Sequence, residues 1–161
     1  VEAARRARPD DLDQLLALTR EAGAAMRPQR GGAIWAVREA RAEPVDDDVA
    51  AAVAGAPGRT AVVGEVDGVP VGYGLMHLEP LHDGSTLAVV TDLYVTAGAR
   101  GVGVGEAMMD LLLDAAGEAG AVGIDALALP GDRATKNFFE RFGLTARAIV
   151  VHRSLTGRGA P

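Results

Sequence analysis

The chain has 161 residues, 48% hydrophobic and 24% charged, with a formal net charge of −6. That length suits one domain with a core that needs no covalent staples, and the absence of cysteine excludes a disulfide framework, a thiolate zinc site and a cysteine nucleophile. The acidic balance disfavours nucleic acid as a partner. No basic-then-apolar leader and no apolar run near the ~18 residues of a membrane helix is present, so a cytoplasmic protein with no membrane partner is expected.

Ala3 to Arg8 reads as a short edge strand. Pro9-Asp10-Asp11 opens a helix with acidic residues in its first turn, and Leu12, Leu15, Leu16 and Thr19 keep helical spacing to about Met26. A breaker-rich loop, Arg27 to Gly32, leads to a short helix over Ala33 to Ala42. It carries Trp35, the only tryptophan, a residue for a core, an interface or a pocket wall. Pro44 to Ala54 is a third helical piece, with Asp46-Asp47-Asp48 as a water-facing N-terminus.

The pattern then changes to strands. Thr60 to Val66 is β-branched, Asp67-Gly68 is a tight-hairpin signal, and Val69 to Leu78 returns. After a turn over Pro80 to Ser85, Thr86 to Val95 is strongly β-prone. From Val104 the apolar positions Ala107, Met108, Leu111, Leu112 and Ala115 make one helical stripe, ended by Gly117 and Gly120. Ala121 to Leu129 reads as a strand and Arg133 to Phe142 as a helix closed by Gly143. Thr145 to Leu155 reads as a last strand, and 156–161 as a frayed tail. This order describes one mixed α/β domain over 1–155, without internal repeats.

Gly101-Val102-Gly103-Val104-Gly105, between the long strand and the striped helix, leaves backbone uncovered at a helix start. Free N–H groups there, beside Arg100, suit a phosphate. A dinucleotide motif needs a small residue where Glu106 or Met108 stands, and a Walker loop needs Gly-Lys-Ser/Thr, which is absent. A turn serving packing alone is the plain alternative. What remains is Arg-x-x-Gly-x-Gly, as Arg100, Gly103 and Gly105, after Asp92-Leu93-Tyr94-Val95. Downstream, Lys136-Asn137-Phe138-Phe139-Glu140-Arg141-Phe142-Gly143-Leu144 is an aromatic-rich helix closing in Phe-Gly-Leu.

Together these two signatures, in this element order, resemble the GNAT superfamily of N-acetyltransferases. The resemblance implies a mixed, mostly antiparallel central sheet with splayed parallel strands and helices on both faces. It implies an acetyl-CoA-dependent acyltransferase that transfers acetyl directly to a primary amine, without a metal. Leu93, Tyr94, Val95, Arg100, Gly101, Val102, Gly103, Val104, Gly105, Glu106, Asp132 and Phe139 are then the cofactor-binding positions. The Val95 N–H becomes the donor to the thioester carbonyl, with Asp92 as candidate base and Tyr94 as candidate acid.

The sequence departs from the family at Phe139, where a tyrosine usually serves as general acid, and at Asp132, where asparagine is frequent. That departure keeps a second reading open, an acyl-CoA-binding module with little catalysis. Glu79, His77, His82 and His152 are weaker base candidates, each readable as a solvated turn or strand residue. The resemblance also leaves a homodimer through the last strands open.

Overall fold

The computed structural model describes residues 1–156. Strands β1 (Glu2–Arg6), β2 (Arg59–Val66), β3 (Val69–Pro80), β4 (Thr86–Val95) and β5 (Gly123–Ala126) form one sheet in sequence order. The first four pair antiparallel, and β4 with β5 parallel. A parallel join needs a crossover, supplied by α4 (Val104–Glu118). Helices α1 (Leu12–Met26), α2 (Gly32–Arg38) and α3 (Asp46–Val53) precede the β2–β3 hairpin, and α5 (Arg133–Arg141) follows β5. The mixed, mostly antiparallel sheet with helices on both faces is therefore the observed fold.

Two apolar layers flank the sheet. On one face, Leu15 and Leu18 of α1 and Val49 and Val53 of α3 cover Ala61, Val63, Tyr73 and Leu75. On the other, Val104, Met108, Leu112 and Ala115 of α4 lie on Val62, Met76, Ala88 and Val90. The neighbours Val62 and Val63 serve opposite layers because side chains alternate across a strand. Burial of each large side chain contributes about 1.5–3 kcal/mol. Close approach of α4 depends on Gly64, where a Cβ would stand 2.4 Å from Val104 Cγ1.

β1 is fastened by charge. Arg5 donates to both oxygens of Asp11 (2.7 and 2.9 Å) and to Glu65 (2.8 Å). Asp11, only 8% exposed, also accepts from the Arg8 N–H at 2.7 Å. It sits in a 3₁₀ turn, Pro9–Asp11, where the sequence suggested the start of the helix itself.

Three expected elements end differently. α2 stops at Arg38, which leaves Arg41 in the loop before α3. β5 stops at Ala126 instead of running to Leu129, because its partner β4 has by then turned away. Thr145 to Leu155 forms no strand. Among the described residues no strand covers the far side of β5, and Arg147 reaches Asp125 by its side chain. His152 is accordingly exposed and off the sheet. The expected tail lies, except for Thr156, outside the described residues.

The Arg5 guanidinium holds the Asp11 carboxyl below its usual 3.8. A carboxylate depressed in the folded state contributes stability above its unfolded pKa and loses it as pH falls through that range. Urea unfolding from pH 6 to pH 3 will show a stability decline in which Asp11→Asn, weaker at pH 6, converges on the parent at low pH.

Candidate active site

The site is built where β4 and β5 part. Their ladder runs from Leu87 opposite Gly123 to Val90 opposite Ala126, and then ends. β4 continues beside β3 alone. The register slips there, since Leu75 faces Asp92 while Met76 faces Val90, so Thr91 is an inserted residue. A β-bulge of this kind bends its strand and re-aims side chains. It places Val90 and Leu93, three apart, on the same α4 layer, and turns Asp92 toward Tyr73 on the other.

Beyond the bulge one edge of β4 is bare. The Thr96 N–H donates to the Val71 carbonyl on β3 at 2.8 Å. Alternation along the strand turns the N–H and C=O of Val95, and of Leu93, toward the side β5 has left. The Val95 carbonyl there accepts from Arg100 Nε at 2.8 Å, and the Arg100 guanidinium lies 5.4 Å from the Tyr94 ring.

The glycine turn follows. Gly101 and Gly103 have φ of +79° and +95°, and a Cβ on either would meet nothing within 4 Å. Glycine is required at these two positions for the left-handed backbone, and the space before the turn is open. Gly105 differs, since its Cβ would meet Phe138 at 3.3 Å. Val104 is fully buried under the sheet, whereas Val102 is exposed. Glu106 turns its carboxylate to Arg141 of α5 at 3.2 Å, leaving its N–H in the first turn of α4.

On the α1 side of the fork lies a cavity of about 370 Å³. Trp35, Met26, Leu127 and Leu129 give it apolar walls, and Phe139, 7% exposed, lines it as well. Trp35 is thus a pocket wall. Of the carboxylates around the cavity, Glu39 pairs with Arg38 (3.0 Å), and Glu43 lies 3.9 Å from Arg20. Asp132 caps α5 by accepting from the Thr135 N–H (3.0 Å) and hydroxyl (2.5 Å).

Asp92 belongs to a polar cluster that the sequence did not reveal. It accepts from the Tyr73 hydroxyl at 2.7 Å and pairs with Arg41, which also pairs with Asp48 and donates to the Thr91 hydroxyl at 2.8 Å. Asp48 pairs in turn with Arg59. So the run Asp46-Asp47-Asp48 is not simply a water-facing helix end: Asp46 meets Arg20 at 3.2 Å and Asp48 serves the cluster. Burial, then the adjacent Asp92 carboxylate, pushes the Tyr73 phenol well above its ordinary 10. Arg59 and Arg41 hold Asp48 below the usual carboxylate value against the opposing effect of burial. Two cations and two carboxylates gathered at the bulge would have been hard to find from sequence, since Arg41, Asp48 and Asp92 share no motif.

Tyr94 faces the α1 layer, where its hydroxyl donates to Glu21 at 2.9 Å. The Thr96 hydroxyl shares that oxygen at 2.6 Å. Partial burial and Glu21 raise the Tyr94 phenol, and Thr96 and Tyr94 lower the Glu21 carboxyl. Leu93, Val95, Arg100 and the turn thus converge at the bare edge. Asp92, Asp132 and Phe139 border the cavity, and Tyr94 is tied to α1.

The acetyltransferase (GNAT) family model matches residues 26–144. The chain belongs to the GNAT acetyltransferase family. Its fold is shared by solved GNAT-like structures at low identity. The BH1408 protein of Bacillus halodurans, solved as a tetramutant, aligns at TM-score 0.77 and 21% identity, over 94% of this chain and 99% of that one. An aminoglycoside acetyltransferase from an uncultured soil metagenomic sample, solved with sisomicin, aligns at 0.71 and 18%, covering 96% and 95%. A ribosomal-protein-alanine N-acetyltransferase from Brucella melitensis aligns at 0.68 and 18%, covering 96% and 100%. No curated protein sequence matches the chain. Among the described residues of this GNAT protein, no helix is long and apolar enough to cross a membrane.

Removing Asp92 takes the acceptor from the buried Tyr73 hydroxyl and leaves the largely buried Arg41 guanidinium with Asp48 as its one remaining carboxylate. Asp92→Ala will cost about 3 kcal/mol and Tyr73→Phe about 1 kcal/mol in urea unfolding. The double variant will cost less than the two together, because the residues share one network.

Proposed function

We propose that this chain is an acetyl-CoA-dependent N-acetyltransferase acting directly on a primary amine. The observation that carries the reading is the fork: a strand edge left bare from Thr91 onward, leading straight into a left-handed glycine turn at the start of α4. Buried strand edges require hydrogen-bond partners, and the amides of a pantetheine arm fit that need at Leu93 and Val95. The turn suits a pyrophosphate, because the first N–H groups of α4 lack helical partners.

The residues present fit this group. The space before Gly101 and Gly103 is open, and the N–H groups of Gly103 to Glu106 are the first of the helix. Arg100, now on the Val95 carbonyl, is placed to exchange that carbonyl for phosphate oxygens. Bound acetyl-CoA supplies an activated thioester. The chain supplies position and polarity: the Val95 N–H is a fixed donor for negative charge on a carbonyl oxygen beside it. The cavity walled by Trp35 and Met26 holds the acceptor, so that amine and bare edge share one mouth.

Proton handling is diffuse in this reading. Each carboxylate at the cavity already has a partner, and Asp92 is held by Arg41 and Tyr73. Asp92 therefore acts as a strut, and the ammonium proton leaves through water in the open cavity. Phe139 has no proton to give and Tyr94 gives its own to Glu21. A thiol of ordinary pKa, about 8.5, can depart as thiolate unaided. These same two observations favour a second reading, a GNAT module that binds acetyl-CoA and turns it over poorly.

Incubation with acetyl-CoA and a panel of amines, followed by thiol release, separates the two. Stoichiometric binding with amine-dependent CoA release is the expected result; binding without release selects the weak module. Gly103→Val forces a β-branched residue toward φ of +95°, so calorimetric affinity for acetyl-CoA will fall about tenfold or more. Phe139→Tyr will leave kcat within about twofold of the parent, since the departing thiolate requires no acid.

A further inference from the structure

The cavity on the α1 side of the fork has one charged wall residue that the fold leaves unengaged. Arg20 lies 3.2 Å from Asp46 and 3.9 Å from Glu43, Glu39 pairs with Arg38, Arg41 pairs with Asp92 and Asp48, and Asp132 bonds Thr135. Arg27 lines the same cavity, and among the described residues its guanidinium meets no carboxylate, carbonyl or ring. It is exposed, so it stands at the cavity mouth.

The backbone beneath that guanidinium is held firmly. The Arg27 N–H donates to the Gly23 carbonyl at 3.0 Å, and the Gln29 N–H donates to the Met26 carbonyl at 3.0 Å. Gly32, buried at the start of α2, lies directly on this corner: a Cβ there would stand 2.3 Å from the Met26 carbonyl oxygen and 2.4 Å from that of Arg27. The glycine thus lets α2 pack on the end of α1 and carry Trp35 to the cavity that Arg27 and Met26 also line. A fixed backbone bearing an unengaged guanidinium is a pre-organised partner for a planar anion, since the guanidinium fork matches a carboxylate through two parallel bonds. The apolar wall beside it suits a hydrocarbon body on the same ligand.

Size and charge narrow the ligand further. At about 370 Å³ the cavity lies near the lower end of the roughly 300–1,000 Å³ typical of small-molecule sites. Glu39, Arg41 and Thr91 also line a smaller cavity of about 240 Å³, so they stand between the two, and the ion pairs of Arg41 keep that partition in place. A polycationic amine finds no unengaged carboxylate on these walls. We propose, resting on the acetyltransferase reading above, that the acceptor is a free amino acid with an apolar side chain. Arg27 holds its α-carboxylate, Trp35 and Met26 cover its side chain, and its amine is directed to the bare edge at Val95. The ammonium first loses one proton to water; the neutral nitrogen then forms the N–C bond as the C–S bond of acetyl-CoA breaks, and the second proton passes through water to the departing thiolate.

Calorimetry tests this on the protein saturated with CoA, with L-phenylalanine, phenethylamine, glycine and spermidine as probes. L-phenylalanine is expected to bind about tenfold or more tightly than phenethylamine, which lacks the carboxylate. It is also expected to exceed glycine, which lacks the apolar body, by a similar factor. Arg27→Gln will abolish the preference over phenethylamine and keep the preference over glycine. Arg30→Gln, at an exposed neighbour that does not line the cavity, will keep both. Spermidine or phenethylamine binding as tightly as L-phenylalanine, no binding of L-phenylalanine, or an unchanged preference in Arg27→Gln overturns the proposal while leaving the donor reading intact. Failure of acetyl-CoA itself to bind overturns the donor reading and this proposal with it. Binding of L-phenylalanine with the expected dependence on Arg27 but without CoA release from acetyl-CoA upholds the ligand class and selects the weakly catalytic module.

Discussion

β4 is held on both sides as far as Val90 and on one side thereafter, and the candidate site follows from that change. One inserted residue, Thr91, lets the strand bend and keep its ladder with β3 while its ladder with β5 ends at Ala126. The bend opens a cavity on the α1 face and bares the backbone of Leu93 and Val95. A strand with unsatisfied N–H and C=O groups in a cleft is costly unless something pairs with them. In this structure Arg100 does so for the Val95 carbonyl. The glycine turn after the strand continues the same theme, since the first N–H groups of α4 are another set of donors without helical acceptors.

α5 ties the two halves of the cleft together. Phe138 lies against Gly105 at the start of α4, while the adjacent Phe139 lines the cavity. Arg141 adds the ion pair to Glu106. A helix that touches both the turn and the cavity can hold their separation constant, which is what positioning two reactants demands. On the opposite wall, Arg41 performs a similar service. Its bonds to Asp92, Asp48 and Thr91 pin the loop between α2 and α3 onto the bulge. Such a cluster is tolerated away from water because its charges are paired and the Tyr73 hydroxyl is bonded, whereas removing one member leaves the others exposed to a desolvation cost.

The features legible in the sequence were those written in short-range patterns. The stripe from Val104 to Ala115, the Asp67-Gly68 hairpin and the β-branched run ending at Val95 each specify an element through local periodicity or turn chemistry, and each formed where expected. The glycine spacing with the Phe-Gly-Leu helix indicated the family. The bulge left no mark, because Thr91 suits a regular strand as well as a bulged one. Arg41 could not be placed, because its partners lie in α3 and β4 and meet only after folding. The reason for glycine at position 105 was also hidden, since Phe138 is 33 residues away in the chain. Thr145 to Leu155 shows the converse: its strand propensity is plain, but propensity supplies no partner, and β pairing depends on what lies alongside.

The central claim is that the bare edge of β4 and the turn beyond it form one continuous site for the donor. Amide hydrogen exchange of the protein with and without acetyl-CoA tests it most directly. The account predicts slowed exchange at the amides of Leu93, Val95 and Gly103 to Glu106 together, at a common ligand concentration, with β1 and β2 unaffected. Slowing confined to another face of the molecule, or no change at saturating acetyl-CoA, would contradict it.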